Sequence, residues 1–213
     1  MSNEESSQDQ PRSLRNPSIR RRRLEMLTLP HIAPLTSYVH QLRDRGIGEV
    51  PYFDPMDGGI NAKVLFLYEK PGPMTSSDPG SKRAGSGFIS RNNDDPTAEA
   101  TFHFMEKAGI PRKITVTWNV IPGWNGTIKV TSQELRQGVD CVTELITLLP
   151  DLRAVIFVGK NAAKAKPLLE GKGLHLSSSD HPSPRVRALF RSRWENIPYV
   201  WARAIDGSNP QQP

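Results

Sequence analysis

The chain has 213 residues, one cysteine, 23% charged residues and a formal net charge of +6. A single cysteine excludes an internal disulfide and a four-cysteine metal or iron–sulfur site, and no apolar run reaches the roughly 20 residues that cross a bilayer. The length suits one domain with a sizeable core, the basic excess suits an anionic partner such as nucleic acid, and a polar start without a signal-peptide core points to a cytoplasmic protein with no membrane partner.

Residues 1–23 are rich in Ser, Gln, Asn, Pro and Arg, and their six arginines stand against Glu4, Glu5 and Asp9, so half of the net charge lies there. With little apolar surface to offset the entropy of ordering, they are expected to form a disordered basic tail, with residues 24–213 as one domain. The Arg20–Arg23 run suits either solvated charges or contact with a phosphate backbone. Ile32, Leu35, Val39 and Leu42 recur at helical spacing and predict a helix over 31–45, with Gly46 as its stop. Val64 to Leu67 is the continuous apolar run of a strand buried on both faces, and the loop 69–90 follows it. Asp95 as cap and Pro96 as first residue open a helix to Ala108, ended by Gly109. A second strand is predicted over 114–120, and a capping box of Thr131 and Glu134 opens a helix through Leu149. Cys141 falls on the apolar side of that helix as inert packing. A third strand over 154–158 passes through Gly159 into a short alanine-rich helix. A brief fourth strand covers 174–176, and 185–194 and 199–204 read as helical. No internal repeat is present. This alternation implies an α/β fold, a three-layer α/β/α sandwich with a central four-stranded, mainly parallel sheet. Such sheets bind ligands at the carboxyl ends of their strands. Three segments with suggestive chemistry fall there: Tyr68-Glu69-Lys70-Pro71-Gly72, Trp118-Asn119, and His181-Pro182-Ser183-Pro184-Arg185.

Taken together, these segments resemble the uracil-DNA glycosylase superfamily, in particular a bacterial branch lacking an iron–sulfur cluster, over residues 50–205. The resemblance implies a uracil-DNA glycosylase-like α/β domain acting as a monomer without metal or cofactor. Its partners would be uracil-containing DNA as substrate and abasic-site DNA as product. Breaking the N-glycosidic bond leaves a base anion, and His181 is placed to donate a hydrogen bond to uracil O2; a histidine in a surface turn is the plain alternative. Asn119 matches the base-reading asparagine, since one amide accepts from N3–H and donates to O4, whereas a turn-capping role is the alternative. Phe88, after Gly85-Ser86-Gly87, matches the aromatic on which an extruded base stacks; a core phenylalanine is the ordinary reading.

Glu69, Lys70, Pro71 and Gly72 stand where some branches carry Gly-Glu-Ala-Pro-Gly. Several branches have Asp or Asn, which positions or activates water, at the place of Lys70. A lysine acts as a base only with a strongly lowered pKa. Asp94 and Asp95 are therefore the candidates for handling water, with Asp95 equally readable as a helix cap. Gly72 replaces a tyrosine that blocks the thymine methyl in the best-known uracil enzymes, which leaves hypoxanthine or xanthine as alternative targets. Ser183, Pro184 and Arg185 occupy the DNA-inserting loop, with Arg185 in place of a leucine. Arg187 and Arg91, with Lys82, Arg83, Arg191 and Arg193, are candidates for gripping the backbone, each otherwise a solvated charge. The stretch Pro51–Gly59 resembles the entry to the first strand in the cluster-free branch and suits a substrate-loop or a packing role. The departure at Lys70 also keeps open an abasic-site or lesion-binding protein with little turnover. A nucleotide-binding module of unrelated function would need a phosphate fingerprint, and none is present.

Overall fold

The computed structural model describes residues 8–72, 75 and 85–207. Its strands are β1 (Tyr52–Phe53), β2 (Val64–Tyr68), β3 (Phe88–Ile89), β4 (Thr115–Asn119), β5 (Ala154–Val158) and β6 (His175–Ser179). Its helices are α1 (Pro17–Glu25), α2 (Ala33–Asp44), α3 (Pro96–Lys107), α4 (Ser132–Thr147), α5 (Pro184–Leu189) and α6 (Arg191–Asp206). The main sheet has the order β4-β2-β5-β6 with every pair parallel. Successive strand residues point to opposite faces, and both faces are covered. Leu65, Leu67, Trp118, Val155 and Phe157 pack against α2, α4 and the segment 162–169. Val64, Phe66, Ala154 and Ile156 pack against α3 and α6 on the other side. Burial on both faces is why β2 and β5 read as unbroken apolar runs, and the expected three-layer α/β/α sandwich is the observed architecture.

Local signals set most element ends. Asp95 accepts from the Thr97 and Ala98 amides ahead of Pro96, and Thr131 and Glu134 form the reciprocal capping box of α4. Cys141 is buried, and its carbonyl accepts from the Tyr38 hydroxyl. Three details differ from expectation. The fourth strand is longer, over 175–179, and Ala162–Leu169 is a 3₁₀ segment with Pro167 inside it. The last helix does not break at Pro198 but begins at Arg191 after Phe190, whose backbone is neither helical nor extended. Pro198 lacks the N–H that would bond Trp194, yet Ile197, Pro198 and Trp201 are all buried, and that packing carries the helix through.

The amino terminus corrects the expectation of disorder. Residues 1–7 lie outside the described residues, but Ser13–Arg15 form a 3₁₀ turn, α1 follows, and Leu14 and Arg23 are buried. What orders this segment is charge pairing. Asp54 accepts from Arg23 and Arg112, from the Ser90 hydroxyl and from the Met56 amide. Arg112 also reaches Asp57 at 2.7 Å and Asp9 at 2.5 Å, and Asp9 accepts from Arg91 at 2.7 Å. Three carboxylates and three guanidiniums thus share one buried network with no net charge, the condition under which buried ions are tolerated. Burial opposes the ionised form of Asp54, but Arg112 and Arg23 outweigh it and hold its pKa below the usual carboxylate range. The Pro51–Gly59 stretch supplies Asp54 and Asp57, so its role here is packing. Of the arginine run, Arg23 is internal and Arg20 donates to the Leu14 and Arg15 carbonyls, while Arg21 and Arg22 are exposed. No helix among the described residues is long and apolar enough to cross a membrane.

Candidate functional site

A cavity of about 460 Å³ opens at the carboxyl ends of β2 and β4 and is lined by the 68–72 segment, Ile89 to Arg91, the start of α3, Asn119 and His181. Parallel pairing sets Tyr68 beside Asn119 in register. The pairing continues past the strand ends, with the Val120 and Ile121 amides donating to the Tyr68 and Glu69 carbonyls. Period-two alternation in β4 then puts Thr117 and Asn119 on the cavity side and Trp118 on the opposite face, stacked on Phe53. Asn119 is buried, and its amide makes no side-chain hydrogen bond among the described residues.

His181 arrives from the loop after β6 and crosses the end of β5. That crossing needs Gly159, whose φ is +94° and whose added Cβ would lie 3.1 Å from His181 Cβ. The imidazole meets the Tyr68 ring edge to face at 5.6 Å. Loss of solvent, with no compensating charge, lowers its pKa from 6.5 to about 4, so it is neutral at physiological pH. Ser183 caps α5 by accepting from the Val186 amide, and Pro184 opens that helix. These two fix the chain just beyond His181 and do not line the cavity.

Asp95 lines the cavity while capping α3. Its Oδ1 takes the Thr97 and Ala98 amides, and its Oδ2 has no partner among the described residues. Burial raises its pKa against the pull of those two amides. Asp94 is turned outward and pairs with Arg12 at 3.2 Å, so the two adjacent acids do not share the cavity. Glu69 lines it with Oε2 accepting from Asn161 at 2.9 Å. Lys70 contributes to the wall, but its ammonium is tied to Asn125 at 2.7 Å and to Glu134 at 3.2 Å. That makes it a strut between the loop and the α4 cap, not a free amine. Pro71 and Gly72 complete this wall, and a Cβ on Gly72 would meet nothing within 4 Å among the described residues.

Phe88 is a correction. The parallel pair β1–β3 sets Tyr52 opposite Phe88 and Phe53 opposite Ile89. This register buries Phe88 fully against Leu14 and Leu27 and gives the cavity wall to Ile89. The apolar part of the cavity wall is therefore Ile89 with Pro71, Tyr68, Pro96 and Ala98. Arg91 is a second correction: it is buried, its guanidinium lies 4.6 Å from the centre of the Phe102 ring and it is paired with Asp9, which removes it from the exposed grip. Arg185 and Arg187 are exposed, the latter over the Trp194 ring at 5.0 Å. Arg191 and Arg193 are engaged with Glu195 and Asp180, and Lys82 and Arg83 lie outside the described residues.

Sequence reading missed Thr117 and Asn93 as wall residues, and it quoted Tyr68 in its motif without a role. Thr117 was recoverable from alternation with Asn119. Asn93, held by bonds to Ser86 and the Phe88 carbonyl, carries no local signal.

No protein-family profile matches this chain, and no curated protein matches it. Among solved structures it is similar to the solution NMR structure of a protein from Methanosarcina acetivorans described as a "putative uracil DNA glycosylase". The two share 17% identity and a TM-score of 0.40, over 68% of this chain and 92% of that one. Likeness at that distance carries no weight about chemistry.

Proposed function

We propose that this chain is a monofunctional DNA glycosylase that takes uracil out of the DNA stack and hydrolyses its bond to the sugar, leaving an abasic site. The observation that carries the reading is the meeting of His181, Asn119 and Asp95, from segments far apart in sequence, on the wall of one cavity. The Asn119 amide has no side-chain hydrogen bond among the described residues, so it can accept from uracil N3–H and donate to O4, a pair that cytosine does not satisfy. Ile89 and Pro71 give the base its apolar contact. As the bond from C1′ to N1 breaks, its electron pair leaves with the base, and His181, a neutral N–H donor, stabilises the charge at O2. Asp95 Oδ2 orients a water whose oxygen bonds C1′ and whose proton passes through the carboxylate to solvent. Lys70, tied to Glu134, takes no part as a nucleophile.

Purified protein is incubated with single-stranded and duplex oligonucleotides carrying one uracil, followed by alkali. Cleavage at the uracil position is expected, and unbroken strands in both cases refute the activity. His181→Ala and Asn119→Ala should each lower the rate about 10²- to 10³-fold, the usual cost of losing one charge-stabilising donor. The lack of any described atom within 4 Å of a Cβ on Gly72 favours a second reading, release of hypoxanthine or xanthine. A panel of deaminated bases separates the two, and Gly72→Tyr should suppress purine release more than uracil release.

A further inference from the structure

We propose that residues 8–15 are a positioning element of the cavity, in which Asp9 fixes Arg91 and Arg12 fixes the turn before α3, so that the Ser90–Asp95 wall stands in place opposite His181 and Asn119. This goes beyond the glycosylase reading, because it assigns work to a segment that composition marks as a loose basic tail, and it rests on that reading only for its effect on catalysis.

Arg12 is the one residue other than glycine with a positive φ among the described residues, at 60°. From that conformation its guanidinium spans two elements. Nε and Nη2 reach Glu99 Oε2 at 3.1 and 2.9 Å, and Nη1 reaches Asp94 Oδ1 at 3.2 Å. Asp94 and Glu99 flank Asp95, the capping residue that lines the cavity, so Arg12 grips both sides of it.

Asp9 acts on the other end of the same wall. It accepts from Arg91 Nη2 at 2.7 Å, from Asn92 Nδ2 at 3.1 Å and from Arg112 Nη1 at 2.5 Å. The Leu14 amide adds a backbone bond to the Asn92 carbonyl at 3.1 Å. The turn's other ties fix its inner side, with Ser90 Oγ bonded to Asp54, Asn92 N to Ser90 Oγ at 2.9 Å, Asn92 Oδ1 to Arg112 at 2.7 Å and Asn93 Nδ2 to the Phe88 carbonyl at 2.9 Å, so residues 9–14 add the hold on Arg91 and Asp94. Without residues 9–14, Arg91, which lines the cavity, keeps among the described residues its stacking on Phe102 and a long contact to Met105 sulfur.

The test uses the full chain with Arg12→Gln, Asp9→Asn, and Arg21→Gln as a control that removes an exposed charge from the same segment. Hydrogen exchange is followed at the amides of Asn93, Asp95, Thr97 and Ala98. Arg12→Gln and Asp9→Asn should speed exchange there by about tenfold while β2, β4 and β5 keep wild-type protection. Arg12→Lys, which keeps a cation, should restore part of it, and Arg21→Gln should match wild type. On uracil-containing DNA the first two variants should lower kcat roughly tenfold with KM little changed, as expected for misplaced rather than missing groups. Unchanged exchange at all four amides, or a loss of protection spread evenly through the sheet, overturns the proposal. Should Asp9→Asn not fold, Arg12→Gln at its half-exposed site decides alone. A wild-type protein that releases no base refutes the glycosylase reading, and the exchange data still decide this one.

Discussion

The imidazole of His181 has given up most of its water without gaining an ion pair, and that fixes its charge as well as its place. Its pKa falls from 6.5 to about 4 through burial. The sign follows from linkage: between those values the unfolded chain binds a proton that the folded chain refuses, so acid favours unfolding. Stability is therefore independent of this group above about pH 7 and declines as pH falls through the window from 6.5 to 4. The urea midpoint should drop across that window in wild type and drop less in His181→Asn. Base release should show no inflection at 6.5, the ordinary value for a histidine. An inflection near 6.5 that disappears in His181→Asn would show a charged imidazole at work and contradict the neutral-donor chemistry. Asp54 is the second residue whose environment makes a sharp forecast. It is fully buried and shared by Arg23 and Arg112. Asp54→Asn keeps the shape but takes from Arg23 its carboxylate partner and leaves the buried network with an excess positive charge, so it should cost about 3–5 kcal/mol, read as a shift in the denaturation midpoint.

Elements with long periods or strong caps were legible in the sequence, and those with neither were not. β2 and β5 follow from apolar runs, α3 from Asp95-Pro96, and α4 from its capping box, because each signal is local and physical. β1 and β3 have two residues each, too short for any period, and their pairing alone decides that Phe88 turns inward and Ile89 outward. The site was legible to the same extent: His181, Asn119, Asp95 and the 69–72 loop meet because strand ends determine them, while Phe88 and Arg91 depended on a register and an ion pair that composition does not encode. Ordering of residues 8–25 was hidden for a related reason, since the case for disorder counts apolar burial and misses a charge-balanced network formed with Asp54, Asp57, Arg91 and Arg112. The junction of β5 with the next segment gives a test at this scale. Gly159→Ala meets both a positive φ and the His181 side chain, so it should destabilise by about 1–2 kcal/mol. It should also cut base release, because His181 must move to make room. Calorimetry and the rate should fall together, whereas a rate unchanged alongside lower stability would mean that His181 holds its place by other contacts.

Across the whole molecule, internal pairing leaves the formal charge of +6 unchanged but reduces the number of arginines a polyanion can reach. Arg23, Arg91 and Arg112 are neutralised inside, and Arg12, Arg191 and Arg193 have carboxylate partners. Arg185 is different: it is exposed, has no ion pair among the described residues, and sits on α5 just after the loop that delivers His181 to the cavity. A cation that meets a phosphate releases a counterion and adds about 0.9 to the magnitude of the slope of log affinity against log salt. Arg185→Gln should therefore weaken duplex binding and reduce that magnitude by about 1, whatever the sequence of the duplex. Arg91→Gln should leave the slope as it is, since its partner is Asp9 rather than DNA. Fluorescence anisotropy at four or more salt concentrations reads both. Equal slope losses in the two variants would mean that Asp9 yields Arg91 to the phosphate backbone when DNA arrives, and that the amino-terminal segment moves on binding instead of holding the cavity wall still.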